Sequence, residues 1–212
     1  RTPVQHPHRL SQLAAWGALG QVLLLASAWL LPLASEYTLI GDNISELVLG
    51  RYGFVQTLAF LLSGLGTLGL AYAIRQLTQC AWGSAVGSLL IGLYGLGAIL
   101  VAIFPTDRID MPADLLALST TGLIHSLVAL VSFVCVTIGM FVLAWTFSKD
   151  ARWRSLLPWA GILPGAALAL LIVSGQGPWV GIMQRALVTV IAGWLILVAI
   201  RIRSLATAGA GD

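Results

Sequence analysis

The sequence predicts an all-α integral membrane protein, a six-helix bundle of antiparallel hairpins with both termini in the cytoplasm. Two observations predict this class. Only 9% of the 212 residues are charged while 58% are hydrophobic, and the mean hydropathy is +0.95, far from the balance of a water-soluble domain. Six segments also approach or exceed the roughly 20 apolar residues that a helix needs to cross a hydrocarbon core: residues 13–33, 52–74, 82–104, 121–147, 156–174 and 181–200. They leave nothing over for a soluble domain, so residues 1–212 are expected to form a single transmembrane domain. The links near 75–81 and 148–155 are short enough to make helical hairpins.

The first segment carries Trp16 and Trp29 near its ends, the interfacial placement of aromatic anchors. No small-residue cleavage site clearly follows it, so it is read as a retained span and not a signal peptide. Between the first two spans lies GDNISELVLGRYGF, residues 41–54. Asn43, Ile44, Ser45 and Glu46 could start a short helix there, with Asn43 or Ser45 satisfying free amides and Gly50 ending it. The loop is therefore expected to be an ordered lid, with Arg51 able to bridge Glu46. In the third span, Gly83, Gly87 and the run Ser84, Ser88, Gly92 recur at four-residue spacing, which lets helix backbones approach closely. That span ends in FPTD, where Pro105 fixes the chain ahead of the cap-forming Thr106 and Asp107. Asp110 and Asp114 are expected in a solvated loop. The fourth span carries His125, the fifth is read from its length and apolarity, and the sixth opens with Gln184 and Arg185.

Orientation follows from the basic flanks, which are retained on the cytoplasmic side. One set of flanks holds Arg1, Arg9, Arg75, Lys149, Arg152, Arg154, Arg201 and Arg203, and the other only Arg51, Arg108 and Arg185. The expected topology is a multi-pass protein of the cell (inner) membrane, N-in and C-in, with an acidic outer face. The pI near 9.2 does not point to nucleic acid, because the basic residues are scattered singly and form no patch. Cys80 and Cys135 are placed too differently along their helices to suggest a disulfide.

Polar residues inside a span usually face the bundle interior or a wet cavity. About one turn inside the outer boundary lie Gln56, His125, Gln184 and Arg185. Helical spacing extends them into stripes: Tyr52, Gln56, Ser63 and Thr67; Thr121, His125 and Ser132; Arg185 and Thr189. A loose threefold pattern accompanies them. LASE (33–36), FPTD (104–107) and VSGQ (173–176) end the outward helices, while GFVQ (53–56), GLIH (122–125) and GIMQ (181–184) begin the inward ones. Three related hairpins or chance would both account for it.

Ligand-binding candidates are therefore Glu46, Gln56, Asp107, His125, Gln184 and Arg185. His125 suits proton transfer or pH sensing, or is satisfied by a neighbouring helix or loop. Arg185 could hold a carboxylate or phosphate through its fork of donors, or form an internal ion pair with Glu46, Asp107 or Asp110, or snorkel. Glu46, Asp107 and His125 offer oxygen and nitrogen donors, but no His-x-x-x-His or Cys pattern supports a metal site. The interior has no second histidine for haem. No cofactor and no catalytic residue is assigned.

The order SELVLGRYGFVQTLAF at 45–60, a glycine-rich third span, FPTDR at 104–108 and a histidine early in the fourth span at 125 resembles a bacterial and archaeal membrane family known as domain of unknown function 998. The resemblance covers about residues 10–203 and implies the same six-helix count. It implies little about activity. The family-like polar and turn positions are Ser45, Glu46, Gly50, Gly53, Pro105, Asp107 and His125.

The leading expectation is an extracytoplasmic-side polar pocket that binds a lipid or small apolar molecule. Two alternatives stay open: a non-catalytic subunit packed in a larger membrane complex, and a membrane enzyme using acid-base chemistry on a lipid or isoprenoid. No G-x-S-x-G nucleophile motif is present, and no midplane charge or interrupted helix supports a transporter. Expected partners are membrane lipids, with a membrane protein or a second copy of the chain as further possibilities.

Overall fold

The computed structural model describes residues 7–78, 80–108, 118–174 and 177–208. Every regular element among them is helical, and six helices are long and apolar enough to cross a membrane. They are α1 (Pro7–Leu30), α2 (Gly53–Leu77), α3 (Ala81–Ile103), α4 (Thr120–Ser148), α5 (Leu157–Val173) and α6 (Val180–Ala208). Short 3-10 helices at Leu31–Ala34, Ile44–Leu49 and Ala151–Leu156 lie between them. The last of the six outruns its apolar segment: Ile202 and Ala206, four residues apart, stay buried, so the helical face that packs continues past the lipid-facing run.

Each helix packs on the next in sequence, and α6 returns to α1. Small residues set the spacing, as van der Waals packing in lipid requires. A Cβ on Gly64 of α2 would lie 2.6 Å from the Gly95 carbonyl of α3, and one on Gly95 would lie 2.9 Å from the Gly64 carbonyl. Gly83 and Gly87 meet Thr146 and Leu143 of α4, the close approach their spacing predicts. Gly92 has only ordinary contacts, with side-chain atoms 3.9 Å away.

The core around Leu70, Ile74, Ile91, Met140 and Leu143 ends in an aromatic stack, Phe147 on Trp153 with ring centroids 4.1 Å apart and Trp194 at 6.3 Å. Cations close this end of the bundle. Arg152 pairs with Asp150 at 2.7 Å and donates to the Leu77 carbonyl at 2.8 Å, while the Arg201 guanidinium donates to the Arg152 carbonyl. Such bonds satisfy carbonyls that short links leave without helical partners. Helix α5 is the least embedded. Its buried edge is Ala160, Pro164 and Ala167, with Pro164 removing one internal hydrogen bond. Cys80 and Cys135 are free thiols.

Candidate functional site

At the opposite end, the segment from the end of α1 to the start of α2 is gripped by the first two turns of α6. Asp42 Oδ2 accepts from the Thr38 amide at 2.6 Å and the Thr38 hydroxyl at 2.8 Å, which folds residues 38–42 into a tight loop. That loop turns carbonyls toward α6. The free amides of Gly181 and Ile182 donate to the Ile40 carbonyl at 2.8 and 3.2 Å, an exchange that also satisfies the helix start. Arg185 Nε donates to the Ala28 carbonyl at 2.9 Å, and its Nη1 donates to the carbonyls of Leu39 at 3.1 Å and Asp42 at 2.7 Å. Gln184 Oε1 accepts from the Ile44 amide at 2.7 Å. The end of α1, the loop at 38–42 and the start of the Ile44–Leu49 helix are thus all tied to one helix end.

Arg185 is fully buried, yet its fork takes backbone carbonyls and not the carboxylates of Glu46 or Asp107. The loop supplies two acceptors and the last turn of α1 a third, all in reach of one rigid guanidinium, and charged donors make the stronger hydrogen bonds. Glu46 is only 4% exposed and accepts from Asn43 Nδ2 at 3.0 Å. Burial pushes its carboxyl above the usual carboxylate range, with the Asn43 bonds opposing that rise. The expected Arg51 bridge is not formed; Arg51 lies over the Tyr52 ring at 5.5 Å. Asn43 stands at the start of the Ile44–Leu49 helix but makes no side-chain cap; the Glu46 amide donates instead to the Asn43 main-chain carbonyl at 3.2 Å, and Gln184 has taken the Ile44 amide.

Asp107 works on the other connection at this end. Its Oδ2 accepts from the Ser119 amide at 2.7 Å and its Oδ1 from the Ser119 hydroxyl at 2.8 Å. Ser119 Oγ in turn accepts from the Gly122 amide at 3.1 Å, capping α4. Asp107 therefore pins the end of α3 to the start of α4. Arg108 lies over the Tyr37 ring at 5.5 Å, which ties this connection to the lid. Asp110, Asp114 and Gln176 lie outside the described residues.

His125 is 4% exposed, and its Nδ1 meets the Phe104 carbonyl at 2.7 Å, just past the end of α3. A carbonyl only accepts, so Nδ1 carries the proton; in the neutral ring Nε2 then holds a lone pair. His125, Gln184 and Ser132 contribute polar groups to a cavity of about 60 Å³. Its walls include Phe60, Tyr94, Val101 and Phe133, and Ile44 and Ser45 of the lid close one side.

Of the six sequence candidates, His125 and Gln184 line this cavity together. Glu46, Asp107 and Arg185 hold the structures around it. Gln56 is fully buried, and neither its Nε2 nor its Oε1 has a partner among the described residues. Farther along the same α2 face, Ser63 and Thr67 each accept from Gln21 Nε2 at 2.9 Å. Gln21 escaped sequence reading, although a single amide in mid-span is itself a signal. The aromatic walls escaped it because an apolar residue in an apolar chain carries no mark. Among the described residues no three His, Cys, Asp or Glu gather as a metal set.

The two glutamines predict opposite outcomes. Gln184→Leu removes the acceptor for a lid amide and should lower stability by about 1–3 kcal/mol. Gln56→Leu breaks no hydrogen bond within the protein and replaces a buried amide by a side chain of similar size, so it should be neutral or stabilising by about 1 kcal/mol. Thermal unfolding of both variants in one detergent checks the pair.

No curated protein and no solved structure is detectably similar to this chain. The family described as protein of unknown function (DUF998) matches residues 11–201, which include α2 to α5, the lid and the cavity, and the chain is a member of that polytopic membrane family.

Proposed function

We propose that the protein binds a lipid or small apolar molecule in the cavity beneath the lid, on the extracytoplasmic side of the cell membrane. The observation that carries this is the cavity itself: apolar walls, a few polar groups at the lid end, and a cover held by α6. Ligand sites have this composition, with a small number of placed polar groups fixing orientation. The topology behind the proposal is six antiparallel helices with N-in and C-in termini. The glycine contacts support it, since Gly17 of α1 meets Leu70 while Gly20 meets Leu62, so that rising positions on one helix meet falling positions on the next. The charge bias supports the orientation, because Arg152 and Arg201 gather at the end remote from the lid.

One observation favours a second reading, assembly with another membrane helix. On α5, Gly161, Gly165 and Ala169 are exposed at four-residue spacing, and a Cβ on either glycine would meet nothing within 4 Å. Small residues in that register suit close helix contact in lipid.

Lipid extraction from protein purified in mild detergent tests the binding proposal. Wild-type protein should retain a stoichiometric apolar compound seen by mass spectrometry. Ala129→Val, whose added methyl groups take up much of the cavity from α4, should lose it while the helix content is unchanged. Equal retention by both proteins would refute the cavity as the binding site.

A further inference from the structure

The hydrogen-bonding capacity of the cavity specifies the head group of its ligand. We infer that the cavity takes a single-chain lipid alcohol, with the hydroxyl seated between His125 and Gln184 and the chain running along the aromatic walls. This rests on the binding function proposed above.

Charge is the first consideration. None of the lining residues is Asp, Glu, Lys or Arg. The nearby cation, Arg185, donates through Nε and Nη1 to the carbonyls of Ala28, Leu39 and Asp42, its Nη2 has no partner among the described residues, and it is not part of the lining. A carboxylate or phosphate entering this space would be desolvated without a counter-charge, which is costly. A neutral head is not.

Donor and acceptor roles come next. His125 donates through Nδ1 to Phe104, which leaves Nε2 as an acceptor when the ring is neutral. Ser132 donates its proton to the Val128 carbonyl at 2.6 Å, leaving oxygen lone pairs. Gln184 has its oxygen engaged by the Ile44 amide, leaving Nε2 as a donor. A ligand group that both donates and accepts answers this set, as a hydroxyl does; an ether or ester oxygen only accepts.

Size completes the specification. A dry cavity of about 150 Å³ is known to admit benzene in another protein, and this one measures about 60 Å³. It has room for a head group and the first carbons of one chain and none for a diacyl head region, so the proposal places the rest of the chain between the helices.

The test uses purified full-length protein in detergent, a photoactivatable hexadecanol bearing a diazirine, and three competitors: hexadecanol, hexadecyl methyl ether, and hexadecanoate at a pH where it is ionised. The probe should label residues 94–101 and 125–133, and the ether and the carboxylate should compete about tenfold less well than the alcohol, the difference one net hydrogen bond makes. Equal competition by ether, or equal or better competition by carboxylate, overturns the alcohol assignment while leaving a lipid site in place. Labelling confined to lipid-facing positions such as Ile172, with none in the two cavity segments, overturns the binding function itself.

Discussion

Arg185→Leu should lower stability by about 3–5 kcal/mol, because the carbonyls of Ala28, Leu39 and Asp42 lose a charged donor in a place water does not reach. For a chain of this size that is a fall in midpoint temperature of roughly 10 °C. The substitution removes the donors and the buried charge together, so the relief of desolvating an ion offsets part of the loss. Arg185→Lys should recover only part of the loss, since an ammonium on a flexible stem cannot reach three carbonyls with one planar fork. Arg75→Leu serves as the control: its side chain is exposed, and its change should stay within about 0.5 kcal/mol. Circular dichroism melts in a single detergent read all three. An Arg185→Leu melt indistinguishable from wild type would mean that the lid does not hang from α6.

Gly53→Ala should dislodge the lid from the other side. A Cβ at Gly53 would meet the Val48 carbonyl oxygen and lie 2.6 Å from its carbon, so backbone must move where no flexible side chain can give way. The cost should be about 1–3 kcal/mol, concentrated in faster amide exchange across Ile44–Leu49. Gly193→Ala is the matched control on α6, where an added Cβ meets nothing within 4 Å. It should be neutral or stabilising by about 0.5–1 kcal/mol, the usual gain from removing a helix-interior glycine.

The helical content and membrane character were legible because lipid leaves few options: an apolar run of sufficient length in a spanning chain must satisfy its backbone internally. Position within a span also flagged Gln184, Arg185 and His125, since polar groups there need a reason. What they hold was not legible. Arg185 and Gln184 grip the backbone between Ala28 and Ile44, and a carbonyl or amide of the main chain has no signature in sequence. The same limit applied to Asp107, whose partner is the Ser119 amide and hydroxyl. Glu46 illustrates a different limit. Its position beside Asn43 and Arg51 allowed an ion pair, but the side chain is buried within the lid and contacts the neutral amide of Asn43, while Arg51 lies over Tyr52. The cavity walls were invisible for a simpler reason: Phe60, Tyr94 and Phe133 come from three helices, and only the packing brings them together.

On the binding proposal, His125 and Gln184 act as a pair. Each has one side-chain atom fixed by backbone, Nδ1 by Phe104 and Oε1 by Ile44, so the remaining nitrogen of each has a defined role. Fixing one atom of a polar side chain preorganises the other for a ligand.

The most direct measurement is the structure of the protein in a lipid bilayer, determined by electron microscopy at a resolution that separates alkyl chains from side chains. The binding account predicts a single elongated density between Phe60, Tyr94 and Phe133, with its polar end within hydrogen-bond distance of His125 Nε2. A cavity closed by inward rotation of those aromatic rings, with lipid density only on the outer faces of the helices, would contradict it.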